Sequence, residues 1–113
     1  MHELSIALGI VKIAEEESRK ANAKVVTSIE LEIGTMAGIE MDSLDFAWPV
    51  AVKDTVLENA KREIDLIPAK AKCLECQTEY DLEHTFDVCP SCNSYFKDIF
   101  QGKELRVKAL EVE

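Results

Sequence analysis

Clusters of basic residues are missing from this 113-residue sequence. Thirteen Lys and Arg stand against 22 Asp and Glu, giving a formal charge of −9, and the longest basic runs are pairs such as Arg19-Lys20 and Lys61-Arg62. Nucleic acids are polyanions that reward Lys/Arg clusters, so they are disfavoured as partners. A negative balance suits the handling of cations and docking on basic partners. Apolar runs of membrane-spanning length are also missing. The opening Met1-His2-Glu3-Leu4 has neither the basic n-region nor the long apolar h-region of a signal peptide. The expectation is a cytoplasmic protein with no membrane association, in a compartment that keeps thiols reduced. Catalytic equipment is scarce too. There are only two histidines, no phosphate-cradling glycine loop, no Ser–His–Asp candidate and no carboxylate pair with an evident cleft. Repeats, low-complexity tracts and Gly/Ser linkers do not occur. With 47 % hydrophobic residues, the chain can form one compact domain, or one domain with a metal-stapled lobe. A large buried pocket does not fit that size, so a binding or carrier protein is expected rather than an enzyme.

The hydrophobic pattern predicts a helix over residues 4–21. Leu4, Leu8, Val11 and Ala14 recur at helical spacing, Ile6, Ile10 and Ile13 widen the stripe, and Asn22 is a stop signal. Residues 25–33 alternate as a strand. Val25, Thr27, Ile29, Leu31 and Ile33 fall on one face, with Ser28, Glu30 and Glu32 on the other. A second helix follows a glycine loop, with Asp42 as its cap and Leu44, Trp48, Val52 and Thr55-Val56 on its inner face. Pro49 predicts a kink there or a late start. Residues 63–72 read as another strand with Pro68 at a bend or edge. The last segment, Glu104 to Glu113, is extended, with a parity flip between Val107 and Leu110 that suggests a bulge. If it returns to the first sheet, the cysteine segment is an insertion. The fold expected is α+β: two helices packed on a small three-stranded sheet, with an inserted β-rich zinc-ribbon lobe. The division expected is an α/β domain of residues 1–70 and 101–113 and a lobe of residues 71–100.

Cys73-Leu74-Glu75-Cys76 and Cys89-Pro90-Ser91-Cys92 form two C-x-x-C knuckles separated by residues 77–88. Each knuckle points two sulfurs at one ion, and two of them complete a tetrahedron of soft thiolates that suits zinc. Such a site has no open position, so it folds the lobe rather than catalysing. Disulfides are disfavoured by the reducing compartment. A rubredoxin-like iron site is a rival, although the glycine that usually follows each second cysteine there is replaced by Gln77 and Asn93. The lobe has little core of its own, comprising Leu82, Phe86, Val88, Tyr95, Phe96 and Ile99, so metal is expected to fold it. His84, between the knuckles, reads as a surface residue before it reads as a metal-exchange or pH-sensing group.

At the other end, the α-amine of Met1, the His2 amide nitrogen and the His2 imidazole can close adjacent chelate rings around one ion. A deprotonated amide favours square-planar Ni(II) or Cu(II). The bland alternative is one solvated histidine.

Several stretches together resemble one family. The opening Met1-His2-Glu3 before an amphipathic helix, Leu31-Glu32-Ile33-Gly34, Ile39-Glu40-Met41-Asp42-Ser43-Leu44-Asp45-Phe46-Ala47, the double knuckle with Cys89-Pro90, and Gly102-Lys103-Glu104-Leu105-Arg106-Val107 are similar to the HypA/HybF proteins, in order and over essentially the whole chain. The resemblance implies a metallochaperone that inserts nickel into [NiFe]-hydrogenase, and in some organisms urease. It implies a HypB-like GTPase and the hydrogenase large subunit or its maturation complex as partners, and it leaves a homodimer open. It makes Met1, His2 and Glu3 the nickel-binding residues: the His2 side chain, the Met1 amine and backbone amides near His2 and Glu3. Glu3 would support the site or contact a partner, and Glu40 or Asp42 could lend an oxygen. Cys73, Cys76, Cys89 and Cys92 become the ligands of a structural Zn(II). Some members place a histidine beside a knuckle; here Asn93 follows the second one, leaving His84 for such a part.

Overall fold

The structure, a computed structural model, describes residues 2–113. In chain order the elements are helix α1 (His2–Lys20), strand β1 (Val26–Gly34), helix α2 (Met41–Val52), and strands β2 (Lys61–Ile67), β3 (Ala69–Cys73), β4 (Glu79–Leu82), β5 (Lys97–Gln101) and β6 (Leu105–Val112). The strands form two three-stranded sheets, ordered β2-β1-β6 and β4-β3-β5. The last strand therefore returns to the first sheet, and the cysteine segment is inserted between two neighbours of β1. This is the expected α+β fold. Contacts divide the chain into two compact units. One takes in the chain through Leu31, Ile39–Asp65 and Arg106–Glu113; the other takes in Glu32–Gly38 and Leu66–Leu105. No helix of the described residues is long and apolar enough to cross a membrane.

In the first unit α1 packs on α2. The buried line of α1 is Glu3, Ala7, Ile10, Val11, Ala14 and Ser18, while Leu8 and Ile13 are about half exposed. The seam thus differs from the expected Leu4–Leu8–Val11–Ala14 stripe. Ala47 and Ala51 line the facing helix, and small residues let two helices approach closely. Asn22 ends α1 as expected. It adopts a left-handed φ of 54°, its amide bonds the Arg19 carbonyl, and the Ala23 amide bonds the Ser18 carbonyl. That is a Schellman closure with Asn in the usual glycine position.

β1 buries Val26, Ile29, Leu31 and Ile33, so Val25 and Thr27 face out, against the expected alternation. The Val26 amide is drawn to the Val56 carbonyl, and the Thr27 hydroxyl bonds the Glu111 carbonyl on β6. α2 starts at Met41 with Glu40 as N-cap, so Asp42 lies in the first turn and is not the cap. The helix runs through Pro49, whose missing amide leaves the Asp45 carbonyl without a helical donor. It stops at Val52, which leaves Thr55 and Val56 in the following turn.

The expected strand over 63–72 is two strands. Pro68 cannot donate to a ladder, and the chain changes sheet there. In the second unit β3 is central and alternates strictly. Ala69, Ala71 and Cys73 are buried, while Lys70 lies opposite Asp81, and Lys72 opposite Glu79 and Asp98. Phe100 has no partner between the Lys70–Gln101 and Ala71–Ile99 pairs, a bulge that stays in β5. In β6 the partly buried apolar residues are Val107 and Leu110, three apart as the parity flip requires. The core of this unit is Ala69, Ala71, Cys73, Tyr80, Leu82 and Cys89, with Met36 and Ile99 against it. Of the six residues expected there, Leu82 and Ile99 take part. Phe86, Tyr95 and Phe96 are 68, 66 and 67 % exposed. Two cysteines and two alanines take up most of the centre, and Tyr80 is the one ring buried with them.

Candidate metal centre

Each knuckle closes on the same backbone device. The Cys73 amide bonds the Thr78 carbonyl (2.8 Å) and the Gln77 amide bonds the Cys73 carbonyl (3.0 Å); the Cys89 amide bonds the Ser94 carbonyl (3.0 Å) and the Asn93 amide bonds the Cys89 carbonyl (2.8 Å). Both turns need a left-handed residue after the second cysteine, and Gln77 and Asn93 hold φ of 68° and 63°. The chain therefore keeps the turn geometry that glycine usually serves without using glycine. A left-handed residue with a side chain carries a strain of about 1–2 kcal/mol, less for Asn. Replacing Gln77 by Gly is expected to raise the unfolding free energy of the zinc-loaded protein by roughly 0.5–1 kcal/mol after the entropic cost of glycine. Asn93→Gly should gain less. Thermal unfolding at saturating zinc checks this, and a loss of stability in Gln77→Gly would refute it.

The turns bring all four cysteine sulfurs within 4.8 Å of one another, two of the residues buried and two exposed. Two short separations cross between knuckles: Cys73 to Cys92 is 3.6 Å and Cys76 to Cys89 is 3.5 Å. A zinc–sulfur bond of about 2.3 Å implies tetrahedral edges of about 3.8 Å, so the cluster is pre-shaped for one such ion. All four thiols are free. Backbone amides point at the sulfurs, from Cys76 to Cys73 Sγ (3.5 Å) and from Ser91 to Cys89 Sγ (3.4 Å). The crowding is also visible in acidity. Hydrogen bonds from Thr78 bring the Cys76 thiol down to about 6, helped by the neighbouring sulfurs. The Ser94 backbone favours the Cys92 thiolate, yet the other three sulfurs and burial push Cys92 up to about 12. Four thiolates so close cannot all ionise together unless a cation joins them, which is the chemistry of a soft divalent metal.

Two residues beside the knuckles, Thr78 and Ser94, escape a reading of the cysteines alone. Thr78 Oγ1 lies 3.2 Å from Cys76 Sγ, and Ser94 Oγ accepts the Phe96 amide. Their signal in the sequence is a repeated C-x-x-C-x-[TS]. His84 is exposed and stacks on Phe86 at 5.0 Å between ring centres. Its loop is held by the Asp87 carboxylate, which accepts the Glu83 and His84 amides and is kept below the usual carboxylate range by them. His84 does not join the sulfur group.

At the amino-terminal end, Met1 lies outside the described residues. His2 opens α1 with its side chain 62 % exposed, and its Nδ1 is 3.1 Å from Glu3 Oε2. Glu3 is buried, although acidic, because the same oxygen accepts the Glu40 amide at 3.2 Å. That bond, then the Glu3 amide and His2, hold the Glu3 carboxyl below its ordinary range. Glu40 is the N-cap of α2 and has no side-chain cap of its own. The start of α1 is thereby tied to the start of α2. The side chains of Glu40 and Asp42 do not gather with His2 and Glu3; among the described residues the four cysteines are the one group of three or more metal-type ligands.

Residues 1–112 match the family model described as "HypA: Hydrogenase/urease nickel incorporation, metallochaperone, hypA". The chain is 41 % identical to the hydrogenase maturation factor HypA of Alkalilimnicola ehrlichii over the whole of both chains. It is 43 % identical to that of Trichodesmium erythraeum over the whole of this chain and 96 % of the relative. Among solved structures, it resembles the solution structure of the Ni metallochaperone HypA from Helicobacter pylori, with a TM-score of 0.70 and 22 % identity over 97 % of this chain and 96 % of the other. A second solution structure of a HypA protein gives 0.72 at 23 % identity, covering 100 % and 97 %.

Proposed function

The chain belongs to the HypA family of hydrogenase/urease nickel-incorporation metallochaperones, and on that premise we propose that it takes up Ni(II) at His2 and passes it on for maturation of a [NiFe]-hydrogenase. The observation that carries this reading is the exposed His2 imidazole beside a buried, anchored Glu3 carboxylate. The nickel ligands are the His2 imidazole, the Met1 amine, and the backbone nitrogens of His2 and Glu3. A chelate ring through the His2 amide uses Nδ1, the atom that now faces Glu3, so nickel takes the place of that contact. Glu3 stays held by the Glu40 amide and keeps the terminus placed. Each nitrogen must lose a proton before it binds, so acid and a recipient richer in ligands both favour release.

Cys73, Cys76, Cys89 and Cys92 hold a structural Zn(II), which supplies the fold of the lobe and no reaction step. Residues 71–100 are the zinc lobe, and residues 1–70 with 101–113 carry the nickel. The partners of this reading are the hydrogenase maturation complex and, more finely, a HypB-like GTPase. The role is delivery, not catalysis.

Nickel titration of untagged protein, beside His2→Ala, tests it. Wild type should bind about one nickel with a square-planar absorption band. His2→Ala should lose that band while zinc stays at about one per chain. Nickel binding indifferent to His2→Ala would remove the terminal site from the account.

A further inference from the structure

Tyr80 is the one side chain of the cysteine-bearing unit whose buried polar atom lacks a hydrogen-bond partner among the described residues. It stands on β4 opposite Ala71 and packs in the same apolar cluster as Cys73 and Cys89, with 9 % of its surface exposed. Its hydroxyl is closed off from solvent. A buried O–H without an acceptor is costly, and such groups are rare enough to require a reason.

The reason lies in the cluster it shares with Cys73 and Cys89. Four thiolates around one dication leave two net negative charges, and two of the four cysteines are fully buried. Buried charge has to be met by donors. Cys73 Sγ has the Cys76 amide and Cys89 Sγ has the Ser91 amide. Each contact leaves further acceptor capacity on the sulfur. The phenol carries one O–H donor and needs one acceptor to give it to.

We propose that Tyr80 is a positioning residue of the four-sulfur centre: in the metal-loaded protein its hydroxyl donates to the sulfur of Cys89 or Cys73 and holds that thiolate's charge inside the apolar cluster. The inference rests on the reading of the four cysteines as a metal centre. Hydrogen bonding to charged groups is the stronger kind, and second-sphere donors tune how firmly a ligand holds its metal.

The test uses the full chain with Co(II) and Zn(II) as probes and Tyr80→Phe, which deletes the oxygen and keeps the ring. Loss of the donor should speed zinc transfer to a chelator roughly tenfold. It should also move the thiolate-to-cobalt charge-transfer band to longer wavelength, because an undonated sulfur releases electron density more readily. A phenol that only packs would leave the band in place; an unmoved band together with unchanged zinc transfer overturns the proposal. Should Tyr80→Phe fail to fold, Tyr95→Phe isolates Tyr80 as the remaining tyrosine, since the sequence has two and Tyr95 is exposed. The tyrosine Raman doublet of that zinc-loaded protein should report a donating phenol, and a non-donating one overturns the proposal. If wild type gives no four-sulfur cobalt spectrum, the metal-centre reading itself falls and takes the proposal with it.

Discussion

Stripping the metal, or replacing Cys73 or Cys89 by Ser, is expected to unfold the cysteine-bearing unit while α1 and α2 keep their helicity. The core of that unit shows why. Two of its six buried members are the ligands Cys73 and Cys89, and two more are alanines. Tyr80 and Leu82 are the only large buried side chains left. Burying each is worth about 2–3 kcal/mol, against an ordering cost of about 1.5 kcal/mol for every residue fixed. Structural zinc in a small thiolate site supplies an apparent folding free energy of about 10–16 kcal/mol at neutral pH, which is the one contribution large enough to decide the outcome. Cys73 is also the last residue of the central strand β3, so its release frees the strand that both β4 and β5 pair with. The measurement is a chelator titration followed by amide NMR dispersion for residues 69–101, by far-UV circular dichroism for the helices, and by the fluorescence of Trp48, the single tryptophan. Trp48 lies on α2 under the Arg62 guanidinium, 5.0 Å from its ring centre, and Arg62 is paired with Asp45. Its signal should hold while the dispersion collapses. Dispersion that survives complete zinc removal would sink the claim that metal folds this unit.

Much of this architecture is written in local patterns. The double knuckle puts four sulfurs together because each C-x-x-C turn is closed by its own backbone, from Cys73 to Thr78 and from Cys89 to Ser94. The helical period places α1, and the period of two places β1. What escaped the pattern has physical causes. Hydrophobic spacing places Ile10, Val11 and Ala14 on the buried side of α1, but it favours large side chains, so it passes over Ala7, which is fully buried, and chooses Leu8, which is half exposed. Glu3 reads as a residue of the terminal nickel site, but nothing local shows that it is buried and bonded by the Glu40 amide, 37 residues along the chain. Pro68 reads as a bend within one strand, because nothing local says that the residues before and after it join different sheets. Tyr80 is missing from the core expected from the sequence, and its unpartnered hydroxyl exists only once its surroundings are assembled.

The same limit applies to Gly34, which ends β1 in the sequence as an ordinary breaker, and where the second large effect is expected. Gly34→Ala should destabilise the protein by about 4 kcal/mol or more, well beyond an ordinary substitution. A Cβ on Gly34 would meet the Gly102 carbonyl oxygen at 2.0 Å, its carbon at 2.1 Å and the Lys103 amide nitrogen at 2.6 Å. All three are backbone atoms, so no side-chain rotation relieves the overlap, and the strain has to move a segment of chain. That segment is held on both sides. The Gly34 amide bonds the Glu104 carbonyl at 2.7 Å, and the Met36 amide bonds the Gly102 carbonyl at 2.7 Å. Moving the chains apart breaks these bonds and leaves buried polar groups unmet. Gly102 also has Ala69 close against it, since a Cβ built on Gly102 would lie 2.5 Å from Ala69 Cα, so the segment has little room to back away. Gly9 provides the control of opposite sign. It sits inside α1, where an added methyl would have nothing within 4 Å of it, so Gly9→Ala should stabilise by about 0.5–1 kcal/mol through helix propensity alone. Both variants are compared by denaturant midpoint at saturating zinc, so that metal linkage is held constant. If the two alanines shift the midpoint in the same direction, backbone proximity at Gly34 is not what that position is selected for. If they diverge as expected, one identical chemical change separates a helix that only needs a better former from a crossing that has no room for a single carbon.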